Sequence, residues 1–405
     1  MNQVRRLLPG FQTTSAPTSV ERLKERGFEA GLKKVFSMTG EDVISHITAS
    51  GLKGRGGAAF PTGLKWSSVY NAAGPTKYVV MNADESELGT FKDRVLLEED
   101  PLGALSGVVM AAHVVGAKKA YCYIRGEYRD VERRMAEALQ MLRSEGWVGT
   151  DGVDIEIRRG AGAYIAGEET ALFNSIEGKR PEPRVKPPFP TIKGLWGSPT
   201  LIQNVETLAN VAILFAHDTE WFKQYGTKDT VGTKLVAISG HVQRPGVYEV
   251  PFGMPLTDIL EAPNLGGGVV GSGRLGAILL GGAAGTFLSR EEVASGRLDY
   301  GSLAAIGASI GSGAVMVFDD TVDLKWVTAR LARFFAEESC GQCVPCRVGT
   351  QRIVELIEQG GFKSRTQDLR ELGLAMRDAS ICGLGQTAPV ALLSLLDRPG
   401  LTQHA

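Results

Sequence analysis

Cys340-Gly-Gln-Cys343-Val-Pro-Cys346 decides the reading of this chain, together with Cys382, which stands 36 positions beyond Cys346. Three thiols separated by two-residue gaps can turn their sulfurs toward one small volume, and a remote fourth closes it. That is the ligand set of a cubane [4Fe-4S] cluster. Zinc also accepts four cysteines, but its sites usually read as two separated Cys-x2-Cys pairs rather than a triplet and a singlet. A structural disulfide belongs to secreted chains, and nothing marks this sequence as secreted. The spacing therefore favours a cluster over zinc, and a cluster implies redox work. The fifth cysteine, Cys122, stands alone in a strand-like run and reads as a buried packing residue.

Composition narrows the partners. A net charge of −1 argues against nucleic acid, which would require a basic face. Met1–Gln12 carries Arg5-Arg6 but no apolar run of signal-peptide length. The apolar stretch from Gly103 to Ala117 is too short to span a bilayer and is interrupted by His113. The expectation is a cytoplasmic protein without direct membrane insertion, reaching any membrane through partner subunits. The histidines, His46, His113, His217, His241 and His404, are scattered and read as structural.

Along the chain the texture changes three times. Residues 1–50 are charged and helical in pattern. From 51 to 229, strand-like runs (Lys77-Tyr-Val-Val-Met-Asn, Lys119-Ala-Tyr-Cys-Tyr-Ile, Val153-Asp-Ile-Glu-Ile) alternate with helical segments, a βαβαβ rhythm that implies a parallel sheet. Within it, five prolines between Pro181 and Pro190 read on composition as a stiff linker or polyproline segment. Residues 230–325 look like a small α+β domain opening on a hairpin, Lys234-Leu-Val-Ala-Ile-Ser-Gly and Gly246-Val-Tyr-Glu-Val-Pro. From 326 to 405, apolar residues return at helical spacing, so the cysteine loop joins two helices of a bundle.

Three segments suggest a ligand site. Gly54-Arg-Gly-Gly-Ala-Ala59 fits G-x-G-x-x-A, although a helical segment precedes it where the dinucleotide fingerprint wants a strand. Consecutive glycines let backbone N–H groups converge on an anion, and Arg55 and Lys65 add charge. A simple flexible turn is the bland alternative. Asn82-Ala-Asp84-Glu85-Ser-Glu87 ends a strand and Gly167-Glu168-Glu169 starts a helix, where open α/β sheets bind ligands. Such acids also cap helix N-termini without binding anything. Asn204-Val-Glu-Thr207 opens a further helix.

These segments together resemble one family, the NADH-oxidising flavoprotein subunits of respiratory complex I and of NAD-dependent formate dehydrogenases and hydrogenases. The likeness rests on Gly54–Trp66, Asn82–Arg94, Gly167–Ala171, Lys186–Pro190, Asn204–Thr207 and the four cysteines. It implies an α/β fold with a Rossmann-like flavin and NADH domain, a ubiquitin-like, soluble-ligand-binding β-grasp domain, and a C-terminal helical bundle carrying the cluster. It implies FMN held by Gly54, Arg55, Gly57, Lys65, Asn82, Asp84, Tyr164, Gly167, Glu168, Asn204 and Thr207. NADH would lie over the flavin, its adenine between Phe60 and Phe189, with Lys186 and Glu169 on the nucleotide and Glu87 near the nicotinamide. The proline segment becomes a nucleotide-contacting loop on this view. Ala59 stands where the family usually has glycine, and Gln203 stands where it has a first asparagine. The implied work is hydride transfer from NADH to FMN and single-electron transfer to the cluster on Cys340, Cys343, Cys346 and Cys382, with no catalytic side chain required. A thioredoxin-like [2Fe-2S] subunit and a larger iron–sulfur subunit are the implied partners. The rival of another class is a zinc-stabilised ligand-binding module without catalysis.

Overall fold

Four strands, β1 (Tyr78–Ala83), β2 (Lys119–Ile124), β3 (Asp154–Arg159) and β4 (Thr200–Asn204), pair in parallel in the order β3-β2-β1-β4. The computed structural model describes residues 4–10, 14–149 and 152–402, so His404 and parts of the Met1–Gln12 stretch lie outside the described residues. The chain winds from β1 outward to β3 and then returns to the opposite side of β1. The topological switch therefore falls between β1 and β4, where Asn82 and Asn204 are register partners. A crevice opens at such a point because the connections on either side leave in opposite directions. β4 is absent from the strand runs read in the sequence; it is short, and Gln203 and Asn204 break its apolar pattern.

Helices α1 (Val20–Glu25), α2 (Phe28–Ser37) and α3 (Gly40–Ser50) lead into the glycine loop, and α4 (Thr62–Tyr70) leaves it. Then come α5 (Lys92–Glu99), α6 (Pro101–Val115), α7 (Arg129–Ser144), α8 (Glu169–Ile176) and α9 (Val205–Ala216). Apart from His113, every residue of α6 is buried, because it packs against the sheet on one side and α2 and α9 on the other. Cys122 lies fully buried in β2, as a packing residue should.

A second sheet of five strands follows: β5 (Thr233–Gly240), β6 (Gly246–Pro251), β7 (Leu275–Leu280), β8 (Thr286–Ser289) and β9 (Ala314–Asp319), in the order β6-β5-β9-β7-β8. Its β5–β9 pair is parallel and the rest antiparallel, and the β5–β6 hairpin forms as expected. The C-terminal bundle contains α10 (Leu324–Glu338), α11 (Val344–Glu358), α12 (Thr366–Ala379) and α13 (Val390–Leu396). Cys340 and Cys343 lie between α10 and α11, Cys346 lies within the first turn of α11, and Cys382 caps the short helix Gly383–Thr387. Among the described residues no helix is long and apolar enough to cross a membrane.

The proline segment is not a linker. Arg184 ties it down by donating to Asn174 Oδ1 (2.7 and 2.9 Å), Glu177 Oε1 (2.8 Å) and Gly194 O (2.8 Å). Lys186 anchors it to α8. Composition registers the prolines but not these anchoring contacts, which decide where the segment lies.

The α6–α9 crossing depends on one glycine. A Cβ at Gly107 would meet the backbone oxygen of Leu208 at 2.3 Å, and a carbonyl locked in a helix cannot rotate aside. Gly107→Ala should therefore overpack the crossing at a cost of about 1–3 kcal/mol. A melt of the variant should show Tm lowered by several degrees; an unchanged Tm would mean that the two helices separate freely.

Candidate functional site

At the C-terminal ends of β1 and β4 two clefts of about 330 and 520 Å³ adjoin, sharing Gly56, Ala58, Asn82, Gly167, Glu168 and Asn204. Together they fall in the size range of cofactor sites. The glycine loop forms one wall. Gly54 N–H donates to Phe60 O (2.9 Å), and the Arg55 N–H donates to Thr207 Oγ1 (2.8 Å) on α9. A Cβ at Gly56 would stand 3.0 Å from that of Asn204, and Gly57 adopts φ +132°, a conformation side chains resist. Ala59 takes φ 53°, a left-handed conformation that costs a residue with a Cβ about 1–2 kcal/mol. The family pattern has glycine there, and the geometry supplies the reason.

Arg55 needs correction. It was expected to bring positive charge to an anion in the loop, but its guanidinium is buried, donating to Lys53 O (3.0 Å) and Val231 O (2.9 Å) above the Phe252 ring. It borders neither cleft, and its role is to lock the loop from behind. Lys65 does line the smaller cleft. Charge at the mouth comes from a lysine pair: Lys65 lies 3.3 Å from Glu169 Oε2, and Lys186 lies 2.6 Å from Glu169 Oε1 and 2.9 Å from Glu168 Oε1. Burial would raise the Glu169 carboxyl, but the two ammoniums outweigh it and hold it below its ordinary value. Glu168 caps α8, accepting the Thr170 and Ala171 N–H groups at 2.9 Å.

The remaining expected residues are distributed around the clefts. Gly54, Phe60, Asn82, Gly167, Asn204 and Thr207 line the smaller one; Gly57, Asp84, Glu87 and Tyr164 line the larger. Asn82 donates to Gly167 O (2.9 Å), and Asn204 caps α9 while donating to Asp93 Oδ2 (2.6 Å). Phe189 is exposed at the start of the helix Pro190–Lys193 and borders neither cleft, whereas Phe60, also exposed, does. Glu87 accepts the Tyr164 hydroxyl at 2.6 Å and the Ala284 N–H, from the small sheet, at 3.1 Å.

Tyr164 links this region to the bundle. Its N–H donates to Glu338 Oε2 (3.0 Å) on α10, and its ring packs on Phe334 at 5.1 Å. Behind it Cys340, Cys343, Cys346 and Cys382 surround one compact cavity floored by Ile165, Pro183 and Leu384. Ile165 and Leu384 also line the larger cleft, so the two spaces adjoin across these residues. Burial pushes the Cys346 thiol up to about 11, so bound metal must draw off its proton.

The donor sets fit the expected groups. Around the clefts, glycine backbone faces the space, and two buried polar atoms, Gln203 Nε2 and Asp84 Oδ1, have no hydrogen-bond partner. A polar heterocycle with a phosphate arm would supply those partners. Among the described residues no group of three His, Cys, Asp or Glu side chains closes tightly enough for a single metal ion. Cys340, Cys343, Cys346 and Cys382 line one shared cavity, and four thiols are the donor set of a [4Fe-4S] cluster.

Sequence reasoning gave no individual role to Glu85, Lys92, Asp93, Glu206 and Lys234, all of them buried. The available signal was charge inside apolar runs, as at Lys234-Leu-Val-Ala-Ile and Val205-Glu-Thr-Leu. It also counted Gln203 only as a departure, although Gln203 lines the smaller cleft.

Comparison with known proteins matches three stretches of the chain to family profiles. Residues 47–213 match the Nuo51 FMN-binding domain, 234–317 the SLBB domain, and 326–398 the NADH-ubiquinone oxidoreductase-F iron-sulfur binding region. An NADH-quinone oxidoreductase subunit of Rhizobium meliloti is 41% identical over 91% of this chain and 90% of its own length. The NADP-reducing hydrogenase subunit HndC of Solidesulfovibrio fructosivorans is 38% identical over 92% of this chain and 77% of its own. Among solved structures, an NAD+-reducing [NiFe]-hydrogenase in the H2-reduced state superposes with a TM-score of 0.85 at 37% identity, covering 96% of this chain and 66% of that one.

Asp84 gives the cleft a pH signature. Burial pushes its carboxyl up to about 7, against partial relief from Ser86 and Arg125. Folded pKa above unfolded pKa means the native state keeps a proton that the unfolded chain loses. The stabilisation is complete below about pH 4 and is lost as pH rises through 7. In flavin-stripped protein, Asp84→Asn should raise Tm relative to the parent at pH 8 and not at pH 4. Equal differences at both pH values would contradict a buried, protonated Asp84.

Proposed function

The chain belongs to the family of NADH-oxidising subunits that carry FMN and a [4Fe-4S] cluster, and on that premise we propose which residues do the work. The observation that carries the reading is the shared partition: Ile165 and Leu384 face both the polar cleft and the cysteine cavity. When bound, FMN takes the two electrons of a hydride from NADH and the cluster accepts electrons singly.

The protein's part is to bind, orient and exclude water. Gly54, Gly57 and Gly167 offer backbone to the flavin, Asn82, Asn204 and Thr207 bound it, and Lys65 faces its anionic arm. Gln203 replaces the family's asparagine and brings an unpartnered amide to the same wall. Arg55 acts from behind through its backbone and its buried guanidinium. Glu87, held by Tyr164 and by the Ala284 N–H, marks the nicotinamide end. Phe60 and Phe189 present exposed rings for the adenine. Cys340, Cys343, Cys346 and Cys382 hold the cluster, and the packed rings of Tyr164 and Phe334 brace the bundle against the cleft.

The assembly is multisubunit, as for relatives named as subunits of quinone-reducing enzymes and of hydrogenases. We place this chain as the electron-entry subunit of an NADH:quinone oxidoreductase, in its peripheral arm, handing electrons to a larger iron–sulfur subunit beside a thioredoxin-like [2Fe-2S] subunit. The hydrogenase likeness, with its TM-score of 0.85, favours a diaphorase role as the second reading.

Nucleotide choice tests the site at one residue. On the family resemblance we assign Glu169 to the adenosine ribose, where a carboxylate accepts a hydrogen bond from the 2′-hydroxyl and repels a 2′-phosphate. Like charges in close juxtaposition cost several kcal/mol, roughly two decades of discrimination. The structure adds a second consequence: removing the Glu169 charge frees Lys65 to face the phosphate and leaves Lys186 paired with Glu168 alone. Glu169→Gln should therefore raise kcat/KM for NADPH relative to NADH by roughly two decades. A variant with lowered Tm and an unchanged nucleotide ratio would confine the carboxylate to a structural role.

A further inference from the structure

Beneath the glycine loop the protein buries a cluster of charges contributed by three elements. Glu206 on α9 is fully buried; its Oε2 meets Lys234 Nζ at 2.5 Å and Lys92 Nζ at 2.9 Å, and its Oε1 accepts the Leu235 N–H at 2.9 Å. Lys92, in the first turn of α5, also reaches Asp93 Oδ1 at 2.6 Å, and Asp93 Oδ2 accepts from Asn204 Nδ2 at 2.6 Å. Lys92 and Lys234 face Glu206 and Asp93, with the buried Glu85 beside them accepting the Asp93 N–H at 2.8 Å. Extra N–H donors satisfy the remaining oxygens, the condition under which a buried ion cluster persists.

Stability alone would be served by those pairs. Lys234 makes a further contact: its Nζ donates to the backbone oxygen of Arg55 at 3.3 Å, inside the glycine loop. Gly54 and Gly56, on either side of Arg55, line the smaller cleft. Asp93, at the other end of the cluster, orients Asn204, which lines both clefts. One buried unit thus sets two walls of the cavity at once. The cation that completes it comes from β5, outside the stretch matched to the FMN-binding profile. The same small sheet closes the larger cleft with Gly311 and Ser312, where Ser312 Oγ lies 2.6 Å from Thr90 Oγ1.

We propose that Lys234 is a positioning residue for the flavin: it clamps the glycine loop through the Arg55 carbonyl, and the small mixed sheet is a structural wall of the flavin site rather than an appended module. The proposal rests on the reading of the cleft as an FMN site.

The test titrates FMN into the flavin-stripped full chain and follows quenching of flavin fluorescence, with Tm measured alongside. Lys234→Met leaves Glu206 short of one partner and the Arg55 carbonyl without its donor. Kd for FMN should rise about tenfold or more, and Tm should fall. Lys234→Met combined with Glu206→Gln removes one charge of each sign and leaves Lys92 paired with Asp93. It should recover most of the lost Tm while FMN affinity stays weak, a split that a merely stabilising cluster would not give. Should the single variant unfold below the titration temperature, Lys234→Arg supplies the readout, since it keeps the charge but moves the donor. Weaker FMN binding at parental Tm supports the clamp, and a parental Kd overturns it. A double variant that binds FMN like the parent also overturns it. A parent chain that takes up no FMN would sink the flavin reading first, and the proposal with it.

Discussion

Ile165 and Leu384 line both the polar cleft and the cysteine-lined cavity. That shared wall is the constraint the rest of the structure serves, because electrons pass between two centres only when they are held close. Three parts of the chain must therefore meet at one place: the C-terminal edge of the parallel sheet, the loops of the mixed sheet and the cysteine bundle. Contacts between them occur at that meeting point. Glu338 of the bundle receives the Tyr164 N–H, Ala284 in the β7–β8 turn donates to Glu87, and Arg180, just before the proline segment, donates to the Cys340 carbonyl at 2.9 Å.

The topology explains why the polar cleft opens where it does. With the order β3-β2-β1-β4, adjoining connections diverge at the ends of β1 and β4. Asn82 and Asn204 stand on either side of the gap. The glycine loop closes over it because Arg55, turned inward, holds it from the rear, while Gly56 admits Asn204 at a separation that leaves a Cβ little room. The site accepts local strain at Ala59 and buried charge at Glu206, which a fold selected only for stability would avoid.

Much of this was legible in the sequence, for identifiable reasons. The cysteine spacing is chemistry written directly into the chain, and the alternation of strands and helices from 78 to 216 is strong enough to read by period. Motifs at strand ends locate a site because parallel sheets bind there. What stayed hidden depends on the third dimension. β4 is too short and too polar to announce itself. Arg55 looks like an anion ligand because it sits among glycines, and only packing against Phe252 and Val231 reveals that it faces inward. Lys234 and Glu206 lie 28 residues apart in different units, and no local pattern predicts that they share a hydrogen bond. Proline content suggested stiffness, yet the position of residues 181–189 is set by Arg184 and Lys186.

The most direct test of the central claim, that the cleft and the cysteine cavity form one electron path, is an anaerobic NADH titration of the full chain reconstituted with FMN, iron and sulfide. Flavin absorbance and the low-temperature EPR signal of the reduced cluster would be followed in the same samples. The account predicts that NADH bleaches the flavin and brings up the cluster signal together, and that Cys382→Ser keeps the bleaching and loses the signal. A cluster that dithionite reduces but NADH does not, in protein whose flavin is fully bleached, would contradict it.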